Sequence, residues 1–128
     1  MRPVLFRGRD EYGQWHYVHF LGVSTEASPR SDSPTVIEFA EILDEDRITH
    51  RVLPETVGEF TGVCAPDGTK LFEGDLISTY DITNGEIRFA PEWAAFVVKT
   101  EEHQYLLDEI IHSPISGKTV KLNGTIWD

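Results

Sequence analysis

Cysteine is nearly absent from this 128-residue chain. Cys64 stands alone, so no internal disulfide forms, and a reducing, cytoplasmic setting is the expectation. Cations are also scarce: 11 Lys and Arg stand against 22 Asp and Glu, a net charge of −11. Binding to nucleic acid draws its strength from neutralised phosphates, so this balance makes nucleic acid an unlikely partner. No apolar run approaches the ~20 residues of a membrane-spanning helix, and residues 1–13 lack the apolar core of a signal peptide. Neither a phosphate-binding glycine loop nor a nucleophile-elbow motif occurs. No cofactor is expected.

What remains is a chain of single-domain length, able to bury roughly two-thirds of its unfolded surface without metal or disulfide support. Its centre of organisation is residues 59–80. Pro66-Asp67-Gly68-Thr69 puts Pro where a turn fixes φ and Gly where φ is positive. Phe60 to Cys64 and Leu71-Phe72 then pair as a hairpin, and Glu73-Gly74-Asp75 bends the chain into a strand over 76–80. Before it, residues 4–7 and 15–23 read as a hairpin about Gly13, residues 24–35 as an exposed Ser- and Pro-rich loop, and 35–43 and 48–53 as strands. Pro54 to Val57 reads as one helical turn. After it come strands over 85–90, joined by an Asn84-Gly85 turn, and 93–100. Residues 104–107 read as a strand, with a short amphipathic helix over 106–112 as the alternative, stopped by Ser113-Pro114. One strand over 118–127, kinked at Gly124, closes the chain. Short strands at this spacing predict a mainly β fold. The reading is a small SH3-like barrel over about 59–128, with an N-terminal β-rich part over about 1–58.

The central stretch also carries a resemblance. Pro54 to Gly62, Asp67-Gly68 and Glu73-Gly74-Asp75-Leu76-Ile77 resemble the signature of the YopX-like family of phage and prophage proteins. Phe6-Arg7-Gly8-Arg9-Asp10 is similar to that family's opening Phe-Arg-x-Trp-Asp, and Leu122 to Trp127 to its closing motif. Gly8 and Arg9 depart where an aromatic is usual, and the closing motif has its polar and small residues exchanged. Residues 22–53 match no part of the signature. The resemblance implies a single YopX-like domain in a bacterial host cell, with no known biochemical activity. It implies motif roles for Thr61, Gly62, Asp67, Gly68, Glu73, Gly74 and Asp75.

Each chemistry-bearing group has a plain structural reading beside its functional one. Glu73 and Asp75 stand two apart, on one face if extended, and are the carboxylate pair a small hydrolase would use. Alternatively, Gly74 bends the chain and Asp75 accepts backbone N–H groups. His16 and His19 fall on opposite faces of a strand, and His112 meets Asp108 or Glu109 only in a helix, so neither completes a metal site. Val63 and Ala65 suggest that Cys64 is buried and inert. Arg2, Arg7, Arg9 and Arg30 with Tyr12, Trp15 and Tyr17 form the basic and aromatic mixture that a nucleic-acid-binding barrel would use, but Asp10 and Glu11 cancel their field. Trp93, Phe96 and Trp127 read as core. Trp15, Tyr17 and Phe20, on a strand apolar on both faces, are the candidate interface of a homo-oligomer. The acidic balance suits a basic host protein as partner. The function expected is therefore a non-catalytic protein-binding or self-assembling module.

Overall fold

In the computed structural model, the described residues are 5–18, 20–22, 28–29, 36–37, 40–43, 46 and 48–128. For 20–22, 28–29, 36–37, 40 and 43 the description extends to the backbone alone. The fold is mainly β, with curled antiparallel sheets that include a half-barrel. Two compact units divide between Glu59 and Phe60.

In the first unit, β1 (Phe6–Arg9) pairs antiparallel with β2 (Trp15–Val18), Arg9 opposite Trp15. The connecting turn is held by the Asp10 carboxylate, whose Oδ1 accepts the backbone N–H groups of Tyr12 and Gln14 at 2.9 Å each. Gly13 supplies its positive φ of 85°. The strand expected over 15–23 is in fact two. β3 (Phe20–Gly22) leaves β2 and joins β6 (Ala40–Leu43) and β7 (Thr49–Val52) in a second sheet. Between them, β4 (Ser28–Pro29), inside the expected loop, pairs briefly with β5 (Val36–Ile37), inside the expected strand over 35–43; the loop's other residues lie outside those described.

Val18, Ile42 and Val52 are wholly buried and form this unit's core with Phe6 and Val57. Gly8 is where it is because Val52 fills the space its side chain would take: a Cβ there would stand 2.7 Å from Val52 Cγ2. A 3₁₀ turn at Pro54–Thr56 follows β7. Its buried Thr56 hydroxyl donates to Leu53 O at 2.6 Å and accepts Arg9 N–H at 2.8 Å, tying the turn to β1.

Strand β8 (Gly58–Cys64) runs across the division. Its first residues pair with β1, and Phe60 and Cys64 pair with Phe72 and Lys70 of β9 (Lys70–Phe72). Five residues of β8 (60–64) span what three of β9 (70–72) span, so the strand bulges. Gly62 takes φ 83° there, and the buried Thr61 hydroxyl donates to Leu71 O at 2.8 Å while accepting Val63 N–H at 3.1 Å. The bulge changes which face later residues occupy. Cys64 is consequently exposed, correcting the expectation of a buried thiol.

The second unit is built on one five-stranded antiparallel sheet. Its members are β10 (Asp75–Ser78), β11 (Gly85–Ala90), β12 (Ala95–Lys99), β13 (Gln104–Leu106) and β14 (Lys121–Thr125). The order is β13-β12-β11-β10-β14, with β13 and β14 at opposite edges. The inward residues Ile77, Ile87 and Val98 form the core with Leu71, Ile82, Leu107 and Ile110.

Leu107 and Ile110 come from helix α1 (Leu107–His112), so strand and helix readings both hold, one after the other. Ser113, extended before Pro114, ends the helix. A second helix, α2 (Ser116–Thr119), occupies part of the expected closing strand, which runs only over Lys121–Thr125 and bulges opposite β10.

The Asn84-Gly85 turn is corrected too. Asn84 has the positive φ (49°), ending a loop over 79–84, while Gly85 is a strand residue. A Cβ on Gly85 would collide with Val98 Cγ1, so close packing rather than turn geometry requires glycine there. Trp93 is likewise not core but part of the four-residue turn before β12, and is 47% exposed.

Candidate binding groove

The signature residues come together as fold grammar. Asp67 Oδ1 accepts Thr69 N–H at 2.9 Å, which holds the Asp67 carboxyl below its ordinary pKa, and Gly68 turns at φ 91°. Asp75 is 2% exposed, and its Oδ2 accepts Phe72 N–H at 2.8 Å across the bend. Gly74, at φ 90°, donates its N–H to Ile87 O and accepts Ile126 N–H. Glu73 sits in the bend itself, half-buried. A carboxylate committed to a backbone N–H inside the core is poorly placed to move protons for a substrate.

Other expected sites disperse. Phe20 lies on β3, not on the strand of Trp15 and Tyr17. Trp15 has the Arg7 guanidinium 4.3 Å from its ring centroid and that of Arg9 at 5.7 Å, so cations cover part of the expected apolar face. Tyr17 is 52% exposed. Arg7 is buried, which takes it out of any exposed basic patch, and Arg2, Arg30 and His19 lie outside the described residues. His112 Nδ1 does meet Asp108 Oδ1, at 3.0 Å on α1, with both side chains in solvent; Glu109 is exposed beside them. Among the described residues, no group of three or more His, Cys, Asp or Glu could hold a metal ion. Phe96 is half-buried, edge-on to Phe89, and Trp127 is half-buried over Gly74.

What the fold assembles instead is an open groove of about 730 Å³ across the β10–β13 face of the second unit. Leu76, Ile126 and Tyr105 supply its apolar surface, and Asp81, Glu86, Glu101 and Glu102 line it with carboxylates against the single lysine Lys99. The walls are fixed from below. Ile82 buries itself in the core and pins the 79–84 loop, whose Thr79 N–H reaches Ile82 O at 2.9 Å. The Asn123 amide donates to Ser78 Oγ at 2.5 Å and Asn84 Oδ1 at 2.8 Å, clamping the end of that loop to β14.

At the other wall, Thr100 N–H donates to His103 O at 2.9 Å and His103 N–H to Thr100 Oγ1 at 3.1 Å. This turn presents Glu101 and Glu102 outward. Glu86 and Lys99 are direct cross-strand neighbours, yet no ion pair joins them. Among the described residues, the carboxylates of Glu86, Glu101 and Glu102 make no side-chain hydrogen bond or salt bridge. They are available to another molecule. The sequence carries no local signal for this groove beyond the Glu101-Glu102 pair, because its residues are drawn together only by the sheet.

Comparison with protein-family models, curated proteins and solved structures returns no match. Among the described residues, no helix is long and apolar enough to cross a membrane.

Proposed function

We propose that this chain is a protein-binding module of phage or prophage type, similar to the YopX-like family, whose second unit takes up a basic segment of a host protein. One observation carries the reading: a groove with an apolar floor and four carboxylates, three of them without a partner among the described residues, on a protein of net charge −11. Such a surface attracts Lys and Arg over a Debye length and gives their alkyl stems an apolar bed. It repels phosphate, which weighs against nucleic acid as the ligand. The groove acts by binding; no catalytic role is assigned to Glu73 and Asp75.

The test is titration of the chain with a synthetic Lys- and Arg-rich peptide, compared with the E86Q/E101Q/E102Q variant. Three exposed charge pairs at ~0.5 kcal/mol each give about tenfold weaker binding at low salt. Equal affinity for the two proteins contradicts the proposal.

A further inference from the structure

The first unit holds a second cluster of functional groups, around Asp10 and His16. Asp10 is fixed on one side by the turn, where its Oδ1 accepts two backbone N–H groups. Its Oδ2 lies 2.8 Å from His16 Nε2, and both side chains are only 15% exposed. The His16 interaction, followed by the Gln14 N–H, lowers the Asp10 pKa. An ionised carboxylate only accepts, so Nε2 carries the proton, and the lone pair of the neutral ring is on Nδ1. Nδ1 has no hydrogen-bond partner among the described residues. His50, on β7, stacks on the His16 ring, with centroids 4.1 Å apart and planes 23° from parallel, holding its orientation.

The cluster opens into a pocket of about 410 Å³ lined by Asp10, Glu11, Tyr12, Thr49, His50 and Arg51 as well as His16. A metal ion is a poor occupant. Imidazole lone pairs lie in the ring planes, and two nearly parallel stacked rings cannot converge theirs on one ion. A phosphate ester is poor too: Asp10 and Glu11 are anionic, and Arg51 lies 4.0 Å from the Glu41 carboxylate. A neutral acyl ester meets neither objection.

We propose that Asp10 and His16 form an acyl-transfer dyad, with His16 Nδ1 the nucleophile toward a neutral ester bound in this pocket and Asp10 its positioning residue. The Nδ1 lone pair adds to the ester carbonyl carbon. The carbon–oxygen bond to the leaving group breaks, and the alkoxide or aryloxide departs with that electron pair. The acyl-imidazolium keeps its Nε2 proton on the Asp10 carboxylate, which offsets the new positive charge. Water then adds to the acyl carbon, the carbon–nitrogen bond breaks, and the electron pair returns to Nδ1. The acid leaves, and one water proton neutralises the departed oxyanion. This chemistry is separate from the groove and stands whether or not the groove binds a basic segment.

Asp10→Asn separates this role from folding. An asparagine must keep its oxygen on the Tyr12 and Gln14 N–H groups, so its NH₂ faces His16. Nε2 then becomes the acceptor, and the proton moves to Nδ1. The turn survives while the nucleophile is lost.

Two measurements on the full chain with Cys64→Ser, which removes the exposed competing thiol, test this. Nitrogen-15 spectra of the histidine rings show the Nε2–H tautomer at His16 in the parent and the Nδ1–H tautomer in D10N. With p-nitrophenyl acetate as probe, D10N lowers the rate of p-nitrophenol release about 10²-fold. H16Q lowers it to the level of the exposed histidines, and H112Q leaves it unchanged. Across pH, the titratable and charged groups that line the pocket with His16 are Asp10, Glu11 and Tyr12 from the turn, and His50 and Arg51 from β7, the last near Glu41 of β6. The pH–rate profiles of the parent and of D10N are expected to differ in shape. An unaltered rate and pH profile in D10N, a Nδ1–H tautomer in the parent, or acetyl label on His103 or His112 instead of His16 overturns the proposal.

Discussion

Gly74 lies directly beneath the indole of Trp127. A Cβ at position 74 would stand 2.5 Å from Trp127 Cη2, and closer still to Cζ3. The Glu73-Gly74-Asp75 bend and the aromatic near the C-terminus are therefore one packing unit. Gly74→Ala meets two penalties: ~1–2 kcal/mol for a side chain at positive φ, and ~1–3 kcal/mol for the collision. Urea denaturation is expected to show a loss of about 2–5 kcal/mol. In a Trp127→Ala background the same change costs about 1–2 kcal/mol, because only the backbone term remains.

The bulge in β8 rests on a hydroxyl. Thr61→Val keeps the shape but leaves the Leu71 carbonyl and the Val63 N–H without their buried partner. The expected loss is about 1–3 kcal/mol in the same assay. An unchanged midpoint would mean that the backbone alone holds the bulge.

Ala94 ends the β11–β12 turn at φ 48°, a conformation costly for any residue with a Cβ. Ala94→Gly is expected to raise stability by about 0.5–1 kcal/mol, read as a higher midpoint with an unaltered slope.

Asp67 connects the turn to pH. Its folded pKa is lowered, chiefly by the Thr69 backbone N–H and then by the Thr69 side chain. Its contribution to stability is thus fully present above the ordinary aspartate value, and is lost as pH falls through the lower folded value. Asp67→Asn keeps an oxygen for the Thr69 N–H but does not titrate. Thermal melts between about pH 5 and pH 2 are expected to fall less steeply in the variant than in the parent. Parallel curves would show that Asp67 gains nothing from the turn.

Much of the architecture is legible in the sequence because its punctuation is local. Pro66-Asp67-Gly68, Glu73-Gly74-Asp75 and Pro54 each fix a few dihedrals whatever surrounds them. Local reading fails where a neighbour in space decides. Gly85 reads as a turn glycine, yet Val98 needs its missing side chain. Cys64 reads as buried from its apolar neighbours Val63 and Ala65, yet the bulge at Gly62 leaves it exposed. The groove is least legible of all. Glu86, Glu101 and Glu102 look like any solvated carboxylates until the strand order gathers them, and the contact of His16 with His50 depends on β2 and β7 meeting.

Self-association is a separate question with a simple readout. Light scattering coupled to size exclusion, at low and high salt, distinguishes an apolar self-interface, which survives high salt, from charge-driven association with other proteins.

The central claim is that the groove, rather than the acidic surface at large, receives a basic partner. Amide spectra of the nitrogen-15-labelled chain, recorded during titration with a Lys- and Arg-rich peptide, test it most directly. The expected result is saturable shifts confined to Leu76, residues 81–86, residues 99–105 and Ile126, fading as salt is raised. Shifts spread over carboxylates of both units, or no saturable shift at low salt, would contradict it.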